Sequence, residues 1–167
     1  IASPGVEMVT VSCGEPRRFA ETKPRFAGTA TSMGTTAHHI RLMHGELSHE
    51  ILGAFFSVHS ELGHGFLEAA YRHALVAELR TRRLAVATEV PFKIRYKGGV
   101  VGEYRADLVV ARTVIVECKV AEFLTAVHEA QLLNYLRASG LELGLLLNFG
   151  PRAAFRRLVC SSKERRL

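Results

Sequence analysis

Residues 107–119 read Asp-Leu-Val-Val-Ala-Arg-Thr-Val-Ile-Val-Glu-Cys-Lys, and this stretch restricts the fold more than any other. Leu108-Val109-Val110 and Val114-Ile115-Val116 are uninterrupted apolar triplets, the mark of buried strands. A chain that carries them must supply packed layers around a sheet. The link Ala111-Arg112-Thr113 is tight enough to fold the two strands into a hairpin. Charges at the ends of such strands need a reason, because burying an unpaired charge is costly.

Residues two apart in a strand share a face. Glu117 and Lys119 therefore point the same way, and Cys118 enters the opposite layer with Val116 and Val114. A three-residue link pairs Val110 with Val114 and brings Asp107 opposite Glu117, with facing Cβ atoms roughly 4.5–5.5 Å apart. A two-residue link would shift that register. Two facing carboxylates repel, and a divalent cation relieves the repulsion. Mg²⁺ prefers carboxylate oxygens and keeps several waters, one of which becomes a nucleophile as its pKa falls. Lys119 can orient that water or stabilise charge developing on a phosphate. Phosphodiester hydrolysis suits this set. The competing reading is a solvated Asp–Lys–Glu ion-pair cluster.

The surrounding sequence supplies the layers. From Leu47, with Ser48 placed to cap and Leu47 and Leu52 to staple, Ile51, Phe55, Val58 and Leu62 recur at helical spacing. Gly63-His64-Gly65 interrupts the chain. A second helix runs from about Phe66 to Arg82, with Leu67, Ala70, Tyr71, Ala74 and Leu75 toward a core. Val90 to Tyr96 alternates as a strand, Lys97-Gly98-Gly99 turns, and strands follow at 100–110 and 114–120. Phe123 to Ala138 is a helix ended by Ser139-Gly140. Strands at 144–149 and 155–159 close the domain. The passage from the third strand through a helix to the fourth is long enough for a parallel crossover. A mixed sheet with helices packed against it is expected.

Three units are expected: a disordered or irregular segment 1–46, a folded domain 47–160 and a basic tail 161–167. The first segment is rich in Gly, Pro, Ser and Thr without apolar periodicity, and no secretory signal is expected in it. Its His38-His39 pair, without further ligands, is weak as a metal site. No apolar run approaches 18 residues, which excludes a transmembrane helix and a membrane partner of that kind. Three widely spaced cysteines, Cys13, Cys118 and Cys160, argue against a disulfide framework and suit a reducing, cytoplasmic compartment. The net charge of +6 permits a polyanionic partner. No phosphate-binding glycine loop, dinucleotide fingerprint or serine nucleophile elbow occurs. Fifteen of the sixteen acidic residues are glutamates, so the lone aspartate, Asp107, stands out.

Several residues are candidates to complete the site. Glu68 opens the second helix, where the helix dipole favours a carboxylate. It also shares a face with Tyr71 and Leu75, so either it simply caps the dipole or it points inward as a third acidic group. His128, Gln131 and Tyr135 fall on one helical face, lining a cleft or marking the solvent boundary. Lys93, Arg95 and Lys97 form a basic row that can meet phosphates or merely protect an edge strand. With few aromatic residues and no tryptophan, an extended stacking platform for single strands is not expected.

Four blocks of sequence now point to a family. Gly65-Phe66-Leu67-Glu68-Ala69-Ala70-Tyr71, Val101 to Asp107, Val116-Glu117-Cys118-Lys119, and His128 to Leu136 with Gly144 to Gly150 together resemble the GxxExxY protein family. That family falls in the PD-(D/E)XK nuclease-like superfamily. The resemblance covers residues 47 to 160. It implies an α/β fold with a restriction-endonuclease-like core, a central mixed β-sheet flanked by α-helices. It implies Asp107, Glu117 and Lys119 as the catalytic signature, with Glu68 as the accompanying helical acid. Asp107, Glu117 and Glu68 would hold Mg²⁺ or Mn²⁺. Gln131 and Tyr135 look like the Gln-x-x-x-Tyr helix motif of a subset of these nucleases, with His128 and Tyr71 in support. The partner implied is nucleic acid, most simply DNA. The alternative is a catalytically silent nuclease fold that binds nucleic acid or a protein. Ala106 stands where the superfamily signature names proline, and His64 where relatives often carry proline.

Overall fold

The computed structural model describes residues 10–12 and 35–160, with side chains from residue 45 onward. Nine elements follow in order: β1 (Thr10–Ser12), α1 (Thr35–Leu62), α2 (Glu68–Thr81), β2 (Val86–Tyr96), β3 (Gly99–Val110), β4 (Val114–Lys119), α3 (Ala126–Ser139), β5 (Leu143–Asn148) and β6 (Ala154–Val159). The strands form one mixed sheet in the order β1-β6-β5-β4-β3-β2. The β3–β4 hairpin is antiparallel and pairs Val110 with Val114, as a three-residue link requires. The crossover through α3 makes β4 and β5 parallel. No described helix is long and apolar enough to cross a membrane.

Helices cover both faces of the sheet. On one, Ile51 and Phe55 of α1 and Tyr71, Leu75 and Leu79 of α2 pack on Val114, Val116, Cys118, Leu145, Leu147 and Phe149. On the other, Leu132, Tyr135 and Leu136 of α3 pack on Val109, Ile115, Leu146 and Leu158. Gly144 lets α3 approach β5 closely, since a Cβ there would come within 2.9 Å of the Leu132 side chain. Gly53 in α1 makes room in the same way for Arg82, whose guanidinium reaches Glu50, Ser57 and Glu78.

The structure corrects five expectations. α1 begins at Thr35, not at Ser48, and β1 lies within the segment expected to be irregular. Ser48 is a buried residue inside α1. The good helix formers Arg41, Leu42, Met43 and Glu46 continue the helix upstream of the apparent cap. The remainder of 1–46 and the tail 161–167 lie outside the described residues. α3 begins at Ala126, leaving Phe123 exposed in the loop before it. Leu67 is 82% exposed, because the chain is still extended there at the N-cap of α2. Lys97 lies in the expected turn, and so it does not continue the basic row of Lys93 and Arg95 along the strand. It has φ 47° beside Gly98 at φ 83°, the backbone of a tight hairpin turn, and its ammonium sits over the Tyr96 ring.

Candidate active site

The three signature residues meet where β3 and β4 part. The β3–β4 ladder ends at Leu108–Val116. One step further on, Asp107 uses its side chain in place of its backbone: Oδ2 accepts the Cys118 amide at 2.9 Å. This locks the carboxylate beside β4. On β2 the register is the same at Thr88–Leu108 and at Val90–Ala106, but the pair between them, Glu89 with Asp107, is missing from the ladder, and Glu89 adopts φ 51°. A non-glycine residue held there is strained, and such strain clusters at functional sites. Glu117 and Lys119 share a face of β4, with Lys119 Nζ 3.3 Å from Glu117 Oε1. Gln131 of α3 reaches the same oxygen at 3.3 Å and touches the Tyr135 hydroxyl at 2.8 Å.

Glu117 is the electrostatic centre. Its side chain is 3% exposed, and its Oε2 has no hydrogen-bond partner among the described residues. Burial, then the nearby Asp107 charge, pushes its pKa up to about 7 against the opposing pull of Lys119. Burial alone would lower the Lys119 pKa, but Glu117, Glu68 and Asp107 outweigh it and the ammonium is held above its usual range. Burial raises Tyr135. Glu68, at the first position of α2, acts electrostatically on Lys119 and Cys118, which places it at the same end of the sheet.

The loop before Glu68 explains the spacing of its motif. Gly65 has φ 112°, a conformation side chains rarely adopt. The Tyr71 hydroxyl donates to the Gly63 carbonyl at 2.8 Å and accepts from the Phe66 amide at 3.3 Å. Its ring is fully buried and stacks on Phe149. Gly65, Glu68 and Tyr71 are therefore one device: a turn, the acid it delivers and the clamp that holds it. Tyr71 supports the site through the backbone and does not face it. His128 is also displaced from its expected place. It occupies the third position of α3, where its Nδ1 accepts the Thr125 amide at 3.3 Å. It is a helix cap. Lys93 and Arg95 are exposed on the edge strand β2, with Lys93 paired opposite Glu103.

Two contributors escaped the sequence reading. Arg72, one turn after Glu68 on α2, donates to Asp107 Oδ1 at 3.0 Å and lies 3.7 Å from Glu89. Its i+4 spacing from Glu68 was the available signal. Asn148, buried at the end of β5, accepts from the Ala121 and Gly150 amides and donates to the Ala121 carbonyl at 2.8 Å. It fixes the chain just beyond Lys119. Gly150 permits this, since a Cβ there would collide with the Ala121 carbonyl.

The expectation of three converging carboxylates needs correction. Among the described residues no group of three His, Cys, Asp or Glu side chains gathers as a metal cluster. Arg72 and Lys119 balance the charge of Asp107 and Glu117 instead. The site nevertheless fits a hard divalent cation. An unpartnered, buried carboxylate oxygen on Glu117, beside a second carboxylate, is the donor chemistry such an ion takes.

Residues 45–158 match the PD-(D/E)XK nuclease superfamily, and the chain belongs to it. Members typically use divalent metals, and the superfamily suggests a nuclease-like function on nucleic acid. Comparison with curated proteins gives no match. Among solved structures the chain is similar to the crystal structure of SSO0001, at 23% identity and a TM-score of 0.48, over 57% of this chain and 52% of that one. It thus spans about half the length of that protein.

Proposed function

We propose that this domain is a divalent-metal-dependent nuclease that hydrolyses phosphodiester bonds in DNA. One observation carries the reading: the orphaned Oε2 of Glu117, buried next to Asp107 and within the reach of a lysine. A carboxylate kept in that state at a cost to stability has a task beyond packing. Asp107 and Glu117 would hold Mg²⁺ or Mn²⁺; Glu68, which does not join them in one cluster, adds negative potential at the same end of the sheet. When bound there, such an ion would supply the Lewis acidity that activates water and draws charge from a phosphate.

The protein's own groups do the rest. Lys119 keeps its proton and presents a cation to the phosphate or a donor to the attacking water. Gln131 holds Glu117 by its amide and is itself held by Tyr135, so the carboxylate cannot swing away. The Cys118 amide fixes Asp107. Asn148 fixes the chain after Lys119. Exposed Lys93 and Arg95, and a net charge of +6, favour a polyanion.

The Arg72–Asp107 pair gives a second reading some footing: with Asp107 already neutralised, the fold could hold nucleic acid or a protein without cutting. Incubating purified protein with labelled DNA and RNA in Mg²⁺ separates the two. The nuclease reading expects cleavage of DNA that a chelator stops and that Asp107→Ala abolishes. Retention of oligonucleotide without cleavage supports the silent module.

A further inference from the structure

A cavity of about 400 Å³ opens between β3 and α3, lined by Tyr104, Val127, Ala130, Gln131 and Asn134. It is continuous with the site above through Gln131, whose amide lies 3.3 Å from Glu117 Oε1. Tyr104 is 39% exposed, and its ring is braced edge-on by Tyr135 at 5.3 Å between centroids. Val127, 75% exposed, supplies an aliphatic wall. Two side-chain amides complete the lining. Gln131 is engaged with Glu117 and Tyr135, and Asn134 accepts from Arg137 with its Oδ1, leaving its NH₂ group as a donor.

None of the lining side chains is charged. A phosphate calls for cations, so this cleft is a poor place for one. An aromatic ring, aliphatic walls and amide hydrogen-bonding groups suit a flat heteroaromatic ring with polar edges. We propose that the cleft binds one nucleobase of the nucleotide beside the scissile phosphate, stacked on Tyr104. This rests on the nuclease reading, and it adds a substrate preference. A base in the cleft has left its own stack, so the preferred substrate has unpaired nucleotides at the cleavage point: a single strand, a flap or a frayed end. The one available ring is consistent with capture of a single base in place of an extended platform.

Fluorescence anisotropy tests this, with Ca²⁺ replacing Mg²⁺ to suppress turnover. The probes are a labelled oligothymidylate, an abasic deoxyribose-phosphate oligomer of equal length, and a duplex. The wild-type chain should bind the thymidylate about 5- to 150-fold more tightly than the abasic oligomer, the range one stacked base provides. Tyr104→Ala should bring that ratio close to one, and Tyr104→Phe should keep it. Ala130→Leu, a change at an exposed position that a helix tolerates, should lower the ratio by filling the cleft. If the wild type binds both single strands equally, or Tyr104→Ala and Ala130→Leu leave the ratio intact, the base site is wrong and the nuclease reading survives. Preference for the duplex over the thymidylate likewise overturns it. Failure of the wild type to bind any of the three removes the nucleic-acid reading and the base site with it.

Discussion

Cys118 and Glu117 are neighbours in β4, yet they live in different media. Cys118 enters the sealed layer beneath α1 and α2, among Val114, Val116, Leu147 and Phe149. Glu117 enters the layer beneath α3, where Gln131, Tyr135 and Lys119 make a polar seam at the end of an apolar core. The first face is built for packing. The second keeps a buried carboxylate oxygen unpartnered. At β4 the sheet thus separates a layer that makes the fold stable from one that accepts instability for chemistry, and α2 crosses the division only at its first turns, where Glu68 and Arg72 reach the site.

Substitutions on the two faces should separate stability from activity. Phe149 is fully buried, stacked on Tyr71 and edge-on to Phe55 at 4.8 Å each. Phe149→Ala should cost about 3–5 kcal/mol in urea denaturation, with activity falling only as the folded fraction falls. Lys119→Ala should do the reverse. Single-turnover DNA cleavage should drop roughly a hundred- to a thousandfold, or about 2.7–4 kcal/mol, while the denaturation midpoint moves much less than for Phe149→Ala. Cleavage that survives Lys119→Ala removes the mechanism assigned here.

The polar face also predicts a pH dependence. A carboxyl whose folded pKa is raised holds its proton more tightly when folded than when unfolded. Stability contributed by Glu117 is therefore present below its ordinary range and lost as pH rises from about 4.5 to about 7. The loss is on the order of 3 kcal/mol and is complete above that window. Denaturation in a chelator across this range measures it. Glu117→Gln should flatten the profile and raise stability at pH 8 while cleavage disappears. Added Mg²⁺ should restore stability to the wild type at pH 8 and not to the variant.

The division between the faces was partly legible in the sequence. Period-two alternation sends Cys118 one way and Glu117 and Lys119 the other, and the three-residue link fixes the hairpin register; both follow from local geometry. The strands themselves read clearly because their apolar runs are continuous. What local pattern does not carry is tertiary pairing. Arg72 finds Asp107 only because α2 lies over the diverging end of β3 and β4. Asn148 acts by bonding a chain 27 residues away in sequence, which no periodicity announces. His128 fits a polar helical face in projection, but its place in the first turn gives it a backbone amide to satisfy instead. Ser48 carried a helix-start signal that strong helix formers upstream overrode.

The smallest effect tests the link between the two faces. Tyr71 belongs to the sealed side by its ring, but its hydroxyl holds the loop that delivers Glu68. Tyr71→Phe leaves the ring packing intact and strips two backbone groups, Gly63 C=O and Phe66 N–H, of a partner. The cost should be about 1–2 kcal/mol in stability, since both groups lie near water and can be partly satisfied by it. Cleavage should fall only a few-fold, together with weaker Mg²⁺ binding by calorimetry, because a looser turn spreads the positions Glu68 visits. A larger loss of rate at unchanged stability would mean that the hydroxyl reaches the chemistry directly. The boundary between the packing face and the reacting face would then lie on the other side of α2.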